Sequence, residues 1–179
     1  QGQYTHGDRA ANAGEPDLQE CRTAEGRRRC GKSFGETAQG PKSSGREEAL
    51  KILYFIEKAF AEGNSRNVTI ESIVKDYEKI HPCDSADIRS SQIREFALSL
   101  VREISDNKED IDKKIDKYSK NRRIERIDVI TLSILRLGIC QFIYFKDIPP
   151  KVVINECVSL SKLYEEDEKT PSFINGILD

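Results

Sequence analysis

From Arg46 onward, apolar residues recur at every third or fourth position almost without a break, as they do along one face of an α-helix. The first such face consists of Ala49, Leu53, Ile56 and Phe60. The same period predicts six further helices. The first three cover residues 68–79, residues 86–104 and a segment that begins near Asp106. The last three cover residues 127–145, residues 149–164 and a short segment from Thr170. The pattern therefore predicts about seven helices.

The fifth of these helices, residues 127–145, is apolar on nearly all sides, which is typical of a helix in the middle of a bundle. No segment alternates with the period of a β-strand, and we find no internal repeat. The predicted fold class is all-α, a helical bundle.

Residues that favour helix starts mark several of these boundaries. Asp106 precedes Glu109 by three positions, as in a capping box. Pro149 and Pro150 fit the first turn of a helix, and Thr170 followed by Pro171 has the residue types expected at N-cap and N1.

Residues 1–45 differ from the rest of the chain. They are rich in Gly, Ser, Ala and charged residues and hold few large apolar side chains, too few to offset the entropy of ordering them. We therefore predict a disordered extension over residues 1–45 and one helical domain over residues 46–179. The basic run GRRRCGK in this extension is either an idle tail or a contact to RNA.

Composition narrows the function classes. The chain has 179 residues and a formal net charge of -2, which argues against bulk, sequence-blind binding to a polyanion but leaves a local basic patch open. No signal segment opens the chain and no apolar run has the length of a membrane span. The five cysteines are an odd number without framework spacing, so we expect a reducing cytoplasm.

A search for catalytic or metal-binding residues finds little. The cysteines Cys21 and Cys30 with His6 match no standard zinc spacing, and His81 precedes a proline at a helix end. The many carboxylates fit solvated helix faces, and no nucleophile lies at a usable spacing from a base. The sequence therefore predicts a non-catalytic binding module without cofactor or metal.

Four segments carry a family resemblance. REEALKILY, LRLGICQF, DIPPKVVINECVSLSK and FINGILD resemble the signature segments of the NusB family of bacterial transcription antitermination factors. The resemblance covers about residues 42–179. It implies an all-helical fold of two packed three-helix bundles plus a terminal helix. It also implies a partner in NusE (a small-subunit ribosomal protein), binding to single-stranded boxA RNA of ribosomal RNA leaders, and a place in the RNA polymerase antitermination complex.

The resemblance also implies where RNA binds. The arginine-rich segment of the family, which meets the RNA backbone, is reduced here to Lys42 and Arg46, so affinity and its salt dependence should be weaker. Tyr54 matches a tyrosine on the RNA- and NusE-facing surface, and Phe173 matches a phenylalanine placed to stack on a base. Core packing is the alternative for both. Apart from the resemblance, a basic cluster before the fifth helix, Arg122, Arg123 and Arg126, is a further candidate for RNA contact, ranked below Arg46, with simple solvent exposure as the alternative.

A third group of residues is expected to be structural. Asn155 and Glu156 interrupt an apolar helical run, and Asn is a poor helix former. In a fold of this family Asn155 would be buried and hydrogen-bonded to a neighbouring helix end, and Gly176 would allow close helix approach. We therefore expect a structural polar core of Asn155, Glu156, Asn175 and Gly176.

Two other functions stay open at this point. A similar domain forms the RNA-binding part of some ribosomal RNA cytosine methyltransferases, so the chain would be a fragment of such an enzyme. In the second alternative, the chain is a protein-interaction or self-association module without RNA affinity. A homodimer that hides the RNA surface also stays open.

Overall fold

The computed structural model describes residues 40–61, 69–83, 87–119, 122–165 and 167–179. Across these ranges the chain forms seven α-helices and one short 3₁₀ turn, with no β-strand. The helices are α1 (Pro41–Ala61), α2 (Ile70–Ile80), α3 (Ile88–Asp106), α4 (Lys108–Tyr118), α5 (Val129–Tyr144), α6 (Pro150–Tyr164) and α7 (Thr170–Leu178). The predicted all-α fold class is confirmed.

The helices pack as two groups of three with α4 beside them. Helix α1 packs against α2 and, most extensively, α3, while α5, α6 and α7 contact one another. The two groups meet where α5 contacts α1 and α3, and α4 packs against α5. Among the described helices, none combines the length and apolar character that crossing a membrane requires.

Helix α5 lies at the centre of this arrangement. Every residue from Ser133 to Gln141 is buried, which uses all sides of the helix. This helix, which the sequence predicts to be apolar on nearly all sides, is therefore surrounded by other helices, as expected for the middle of a bundle. Asp128 is the N-cap residue before this helix, and its side chain accepts a 2.7 Å hydrogen bond from the Thr131 amide.

The start of α1 differs from the sequence prediction. Residues 41–45 were assigned to the extension, but they form the first turn of α1, which begins with a proline as helices often do. Gly45 is buried against α3, where an added Cβ would lie 2.7 Å from the Phe96 ring. Small residues such as Gly45 are common both in linkers and at close helix contacts. The sequence therefore predicts a start of the helical domain that is too late. The rest of the predicted extension, residues 1–39, lies outside the described residues.

Two predicted caps were also wrong. Helix α3 continues through Asp106, and Asn107 joins it to α4 without a side-chain cap. Thr170 lies within α7 and is buried, while Lys169 precedes the helix. The two helices begin at Lys108 and Thr170, within two residues of the predicted caps, so the capping residue types marked the right regions but not the exact ends.

A buried arginine on α5 links three helices. Arg136, whose side chain is 6% exposed, donates from Nε and Nη2 to the two carboxylate oxygens of Asp112 at 2.7 and 2.8 Å. Its Nη1 donates to Glu57 at 2.9 Å, and Lys108 donates to the same Glu57 oxygen at 2.8 Å. The network therefore joins α1, α4 and α5 by charge-assisted bonds.

This network depends on pH in a defined direction. Burial acts to raise the pKa of Glu57, but hydrogen bonds and charge from Lys108 and Arg136 outweigh it, and the pKa is lowered. A carboxylate with a lowered folded pKa stabilises the fold above its unfolded pKa and loses that contribution as the pH falls through the folded value. Lowering the pH below the ordinary pKa of glutamate should therefore weaken the ionic contacts between α1, α4 and α5.

Close approach of α5, α6 and α7 occurs at Gly138. A Cβ added there would lie 2.8 Å from both methyl carbons of Leu178 and 3.3 Å from Cys157 Sγ. Gly176, which the sequence placed in this role, is exposed, and a Cβ there would meet nothing within 4 Å. The expectation for Gly176 was wrong because that face of α7 points away from its neighbours.

We predict opposite effects for substitutions at these two glycines. Gly138→Ala should lower the free energy of unfolding by about 1–2 kcal/mol, because the new methyl group forces Leu178 to move. Gly176→Ala should raise it by about 0.5–1 kcal/mol, because alanine loses less backbone entropy in a helix. Urea denaturation of both variants measures this, and a shift in the same direction for both would contradict the assignment.

Candidate nucleic-acid interface

Lys42 lies in the first turn of α1 and is exposed, as expected for a residue that contacts a ligand. Its Nζ lies 2.6 Å from Oδ2 of Asp147, which stands in the loop between α5 and α6. The hydrogen bond from Lys42 lowers the pKa of Asp147, and burial opposes this effect. The ammonium group is therefore accessible but already paired with a carboxylate.

Arg46, expected to contact RNA, is only 2% exposed. Its Nε donates a 2.7 Å hydrogen bond to Oε1 of Gln141, and its Nη1 lies 3.8 Å from Glu156. Its guanidinium also lies over the Phe96 ring, 5.8 Å from the centroid. The structure thus places Arg46 between α1, α3, α5 and α6, so the expectation of a surface contact was wrong.

The helical pattern held the signal for this burial. Arg46 precedes Ala49 by three positions and Leu53 by seven, which places it on the apolar face of α1. Burial lowers the pKa of Arg46, and the Glu156 carboxylate opposes that effect. The guanidinium stays charged, since arginine pKa values lie far above neutral.

Gln141 is a polar core residue that sequence reasoning missed. It is 1% exposed, accepts the bond from Arg46, and donates from Nε2 to the Leu137 carbonyl oxygen at 2.9 Å. Both ends of its amide are therefore satisfied inside the bundle. This pairing supplies the internal polar contact that the sequence assigned to Asn155.

The expected structural polar core is only partly found. Glu156 is half-buried and accepts a 2.6 Å hydrogen bond from Ser43 Oγ in addition to its contact with Arg46. Asn155 and Asn175 are exposed, so their predicted burial was wrong. Asn155 lies on the outer face of α6, where an asparagine needs no internal partner.

Tyr54 forms part of the wall of a hollow of about 830 Å³ beside α1 and α2. Tyr54 is 38% exposed, and Lys58 Nζ lies 5.5 Å from the centroid of its ring. The hollow has further aromatic walls and both signs of charge; besides Tyr54 its lining includes Phe55, Tyr77, Tyr164, Glu48 and Arg94. Tyr54 is thus neither a core residue nor fully free, and its ring borders an open cavity.

A network of polar side chains forms part of the lining of this hollow. Glu48 accepts a hydrogen bond from the Tyr77 hydroxyl at 3.2 Å and lies 3.2 Å from Arg94 Nη2. Arg94 Nη2 also donates to the His81 carbonyl oxygen at 2.8 Å. Burial raises the pKa of Tyr77, and the neighbouring Glu48 raises it further, so the hydroxyl stays protonated as a donor.

Phe173 and Arg122 are brought together by the fold. Phe173, in α7, is partly buried, and the guanidinium carbon of Arg122 lies 5.1 Å from its ring centroid, in the range of a cation–π contact. Arg123, the next residue, is exposed, as is Arg126. The contact places an aromatic ring and a guanidinium group side by side, next in sequence to the exposed Arg123.

The described residues contain no group of three His, Cys, Asp or Glu side chains that could hold a metal ion. Burial raises the pKa of Cys140 and of Cys157 to about 12, so neither is an activated thiolate at neutral pH. The other candidate ligands, Cys21, Cys30 and His6, lie outside the described residues.

Comparison with known proteins gives consistent relatives. The model of the NusB family matches residues 43–179. The transcription antitermination protein NusB of Myxococcus xanthus is 35% identical over 140 residues, covering 78% of this chain and 93% of that protein. The protein of the same name from Syntrophotalea carbinolica is 38% identical over 144 residues, with 79% and 92% covered.

Solved structures are similar as well. T. maritima NusB superposes with a TM-score of 0.62 at 27% identity, covering 79% of this chain and 89% of that one. A chain in the crystal structure of a plectonemic RNA supercoil has a TM-score of 0.61 at 27% identity, with 78% and 92% covered. The solution structure of NusB from Aquifex aeolicus has a TM-score of 0.59 at 27% identity, with 78% and 86% covered.

We predict that Arg46 acts through stability. Arg46→Met should lower the free energy of unfolding by about 1–3 kcal/mol, because Gln141 loses its donor and Glu156 its countercharge. Asn155→Ala on the outer face of α6 is the control and should change it by less than about 0.5 kcal/mol. Urea denaturation tests both; an Arg46→Met variant as stable as the parent would mean that the guanidinium is not held inside.

Proposed function

The chain belongs to the NusB family, and from that premise we propose that it is a non-catalytic, cytoplasmic RNA-binding antitermination factor that pairs with NusE on boxA RNA. The relatives that support this role are named transcription antitermination proteins, and the matches span 93% and 92% of two of them. The proposal follows them rather than the methyltransferase or interaction-only alternatives. It places the chain in the antitermination complex of RNA polymerase.

The contact between Arg122 and Phe173 is the observation that carries the RNA part of this proposal. An unpaired base can stack on an aromatic ring or on a guanidinium plane, and each such stack contributes about 1–3 kcal/mol. The exposed Arg123 beside them offers a positive charge to a phosphate. Proteins that bind single-stranded RNA combine aromatic stacking with positive charge in this way.

Lys42 supplies a second RNA contact in this proposal. It lies at the exposed start of α1, in the segment that matches the family's arginine-rich region, whereas the buried Arg46 holds α1 in place without touching RNA. Few phosphates would then be neutralised by this chain alone. We therefore propose that strong binding needs NusE, which adds its own surface to the complex.

The hollow beside Tyr54 is our proposed contact for NusE. Aromatic residues and arginine are enriched where protein partners meet, and this hollow has both. Glu48 accepts a hydrogen bond from Tyr77 and forms an ion pair with Arg94, so these side chains hold one another in the lining before a partner arrives. Preorganisation of this kind reduces the entropy lost on binding.

A fluorescence-anisotropy titration tests the proposed function. A labelled boxA-like single strand is titrated with the protein alone and with its cognate NusE, at two salt concentrations. We expect NusE to strengthen binding and salt to weaken it, with a slope that counts the phosphate contacts. No RNA binding with NusE still forming a complex would instead support a protein-interaction module, and binding of neither would refute the proposal.

We predict that Phe173→Leu lowers RNA affinity about ten-fold or more, because a leucine keeps the apolar contact with the core but cannot stack on a base. The same anisotropy titration measures this.

Phe142→Leu on α5 is the matched control, since Phe142 is also a partly buried phenylalanine that packs on the core. It should leave RNA affinity unchanged. Equal losses in both variants would mean that packing, and not stacking, causes the effect.

A further inference from the structure

The two cations at the start of α1 both face acidic groups from the other half of the molecule. Lys42 meets Asp147 in the loop between α5 and α6, and Arg46 meets Glu156 on α6. Helix α1 has no acidic residue of its own in its first turn. The negative charge that balances this end of α1 therefore comes from residues about a hundred positions away, Asp147 lying 105 positions from Lys42.

The two pairs differ in how easily another anion can replace the carboxylate. Arg46 is 2% exposed and is held by Gln141 as well, so its pairing belongs to the core. Lys42 and Asp147 are 54% and 66% exposed, and a single 2.6 Å contact joins them. An exposed pair of this kind is weak, so another anion in solution can replace the carboxylate.

A phosphate oxygen of RNA and the Asp147 carboxylate are chemically alike as partners for an ammonium group, since both are anionic oxygen acceptors. We propose that Asp147 competes with RNA phosphate for Lys42, so that the loop between α5 and α6 restrains RNA binding at the start of α1. This inference rests on the proposed RNA-binding function and adds to it an internal competitor. RNA must break the contact between Lys42 and Asp147 before Lys42 neutralises a phosphate.

The competition has two measurable consequences. Because exposed ion pairs are weak, removing the competitor strengthens RNA binding only modestly, about two- to five-fold. Because a freed Lys42 adds about one phosphate contact, the slope of log K against log salt becomes steeper by about 0.7 for a single strand. A uniform charge effect predicts a change in affinity that does not depend on Lys42.

The test compares Asp147→Asn with the parent protein in the boxA anisotropy titration at several salt concentrations. Asp76→Asn is the matched control, because Asp76 is also exposed and paired with a lysine, Lys79, at 2.8 Å. Both variants raise the net charge equally. A third comparison places Asp147→Asn in a Lys42→Gln background, where no competitor can be released.

We expect Asp147→Asn to tighten binding two- to five-fold and to steepen the slope, Asp76→Asn to do neither, and the gain to vanish without Lys42. Equal gains from both aspartates, a gain that persists in the Lys42→Gln background, or no gain at all would each overturn the inference while leaving the proposed function intact. If neither the parent nor Asp147→Asn binds RNA, with or without NusE, both the inference and the proposed function fail.

Discussion

Helix α5 is buried on almost every side, and its long polar side chains must therefore find partners inside the protein. Two of its side chains do so by holding charged residues of other helices. Arg136 binds Asp112 and Glu57, which joins α5 to α4 and α1, and Gln141 receives the guanidinium of Arg46. The contact between the two halves of the molecule thus combines apolar packing with two polar contacts. One is the ionic network of Arg136, and the other is the hydrogen bond between Gln141 and Arg46. Such directional contacts fix the register of α1 on α5, which apolar packing alone specifies less sharply.

This arrangement decides what is left on the surface. Arg46 satisfies Gln141 and Glu156, so it is not available to an RNA phosphate. Lys42 stays exposed but is paired with Asp147. The start of α1 therefore carries little uncompensated positive charge, in keeping with the net charge of -2 for the whole chain. Under the proposed function, recognition relies more on the stacked Arg122 and Phe173 and on a partner protein than on counterion release along α1.

Helical periodicity identified the seven helices, but the same sequence misplaced several of their ends and several site residues. Small residues before Arg46 resembled a linker, although Gly45 is buried at a contact with α3. The charge of Arg46 suggested a surface position, whereas its place on the apolar face of α1 indicated burial. Motif resemblance named Phe173, and the nearby basic cluster supplied Arg122, yet no pattern indicated that the two stack at 5.1 Å. Asn155 was expected inside because its neighbours are apolar, but it lies on the outward side of α6.

The sequence by itself determined the all-α class, the order of the helices and the central place of α5, because burial of apolar side chains with a period of about 3.6 residues is a local property of the chain. Only the tertiary structure decided which polar side chains enter the core and which cations stay available. That choice depends on partners that are remote in sequence: Arg46 and Gln141 are 95 positions apart, and Ser43 and Glu156 are 113 apart. A buried polar group is stable only where the fold brings its partner within hydrogen-bonding distance, and no local pattern contains that information.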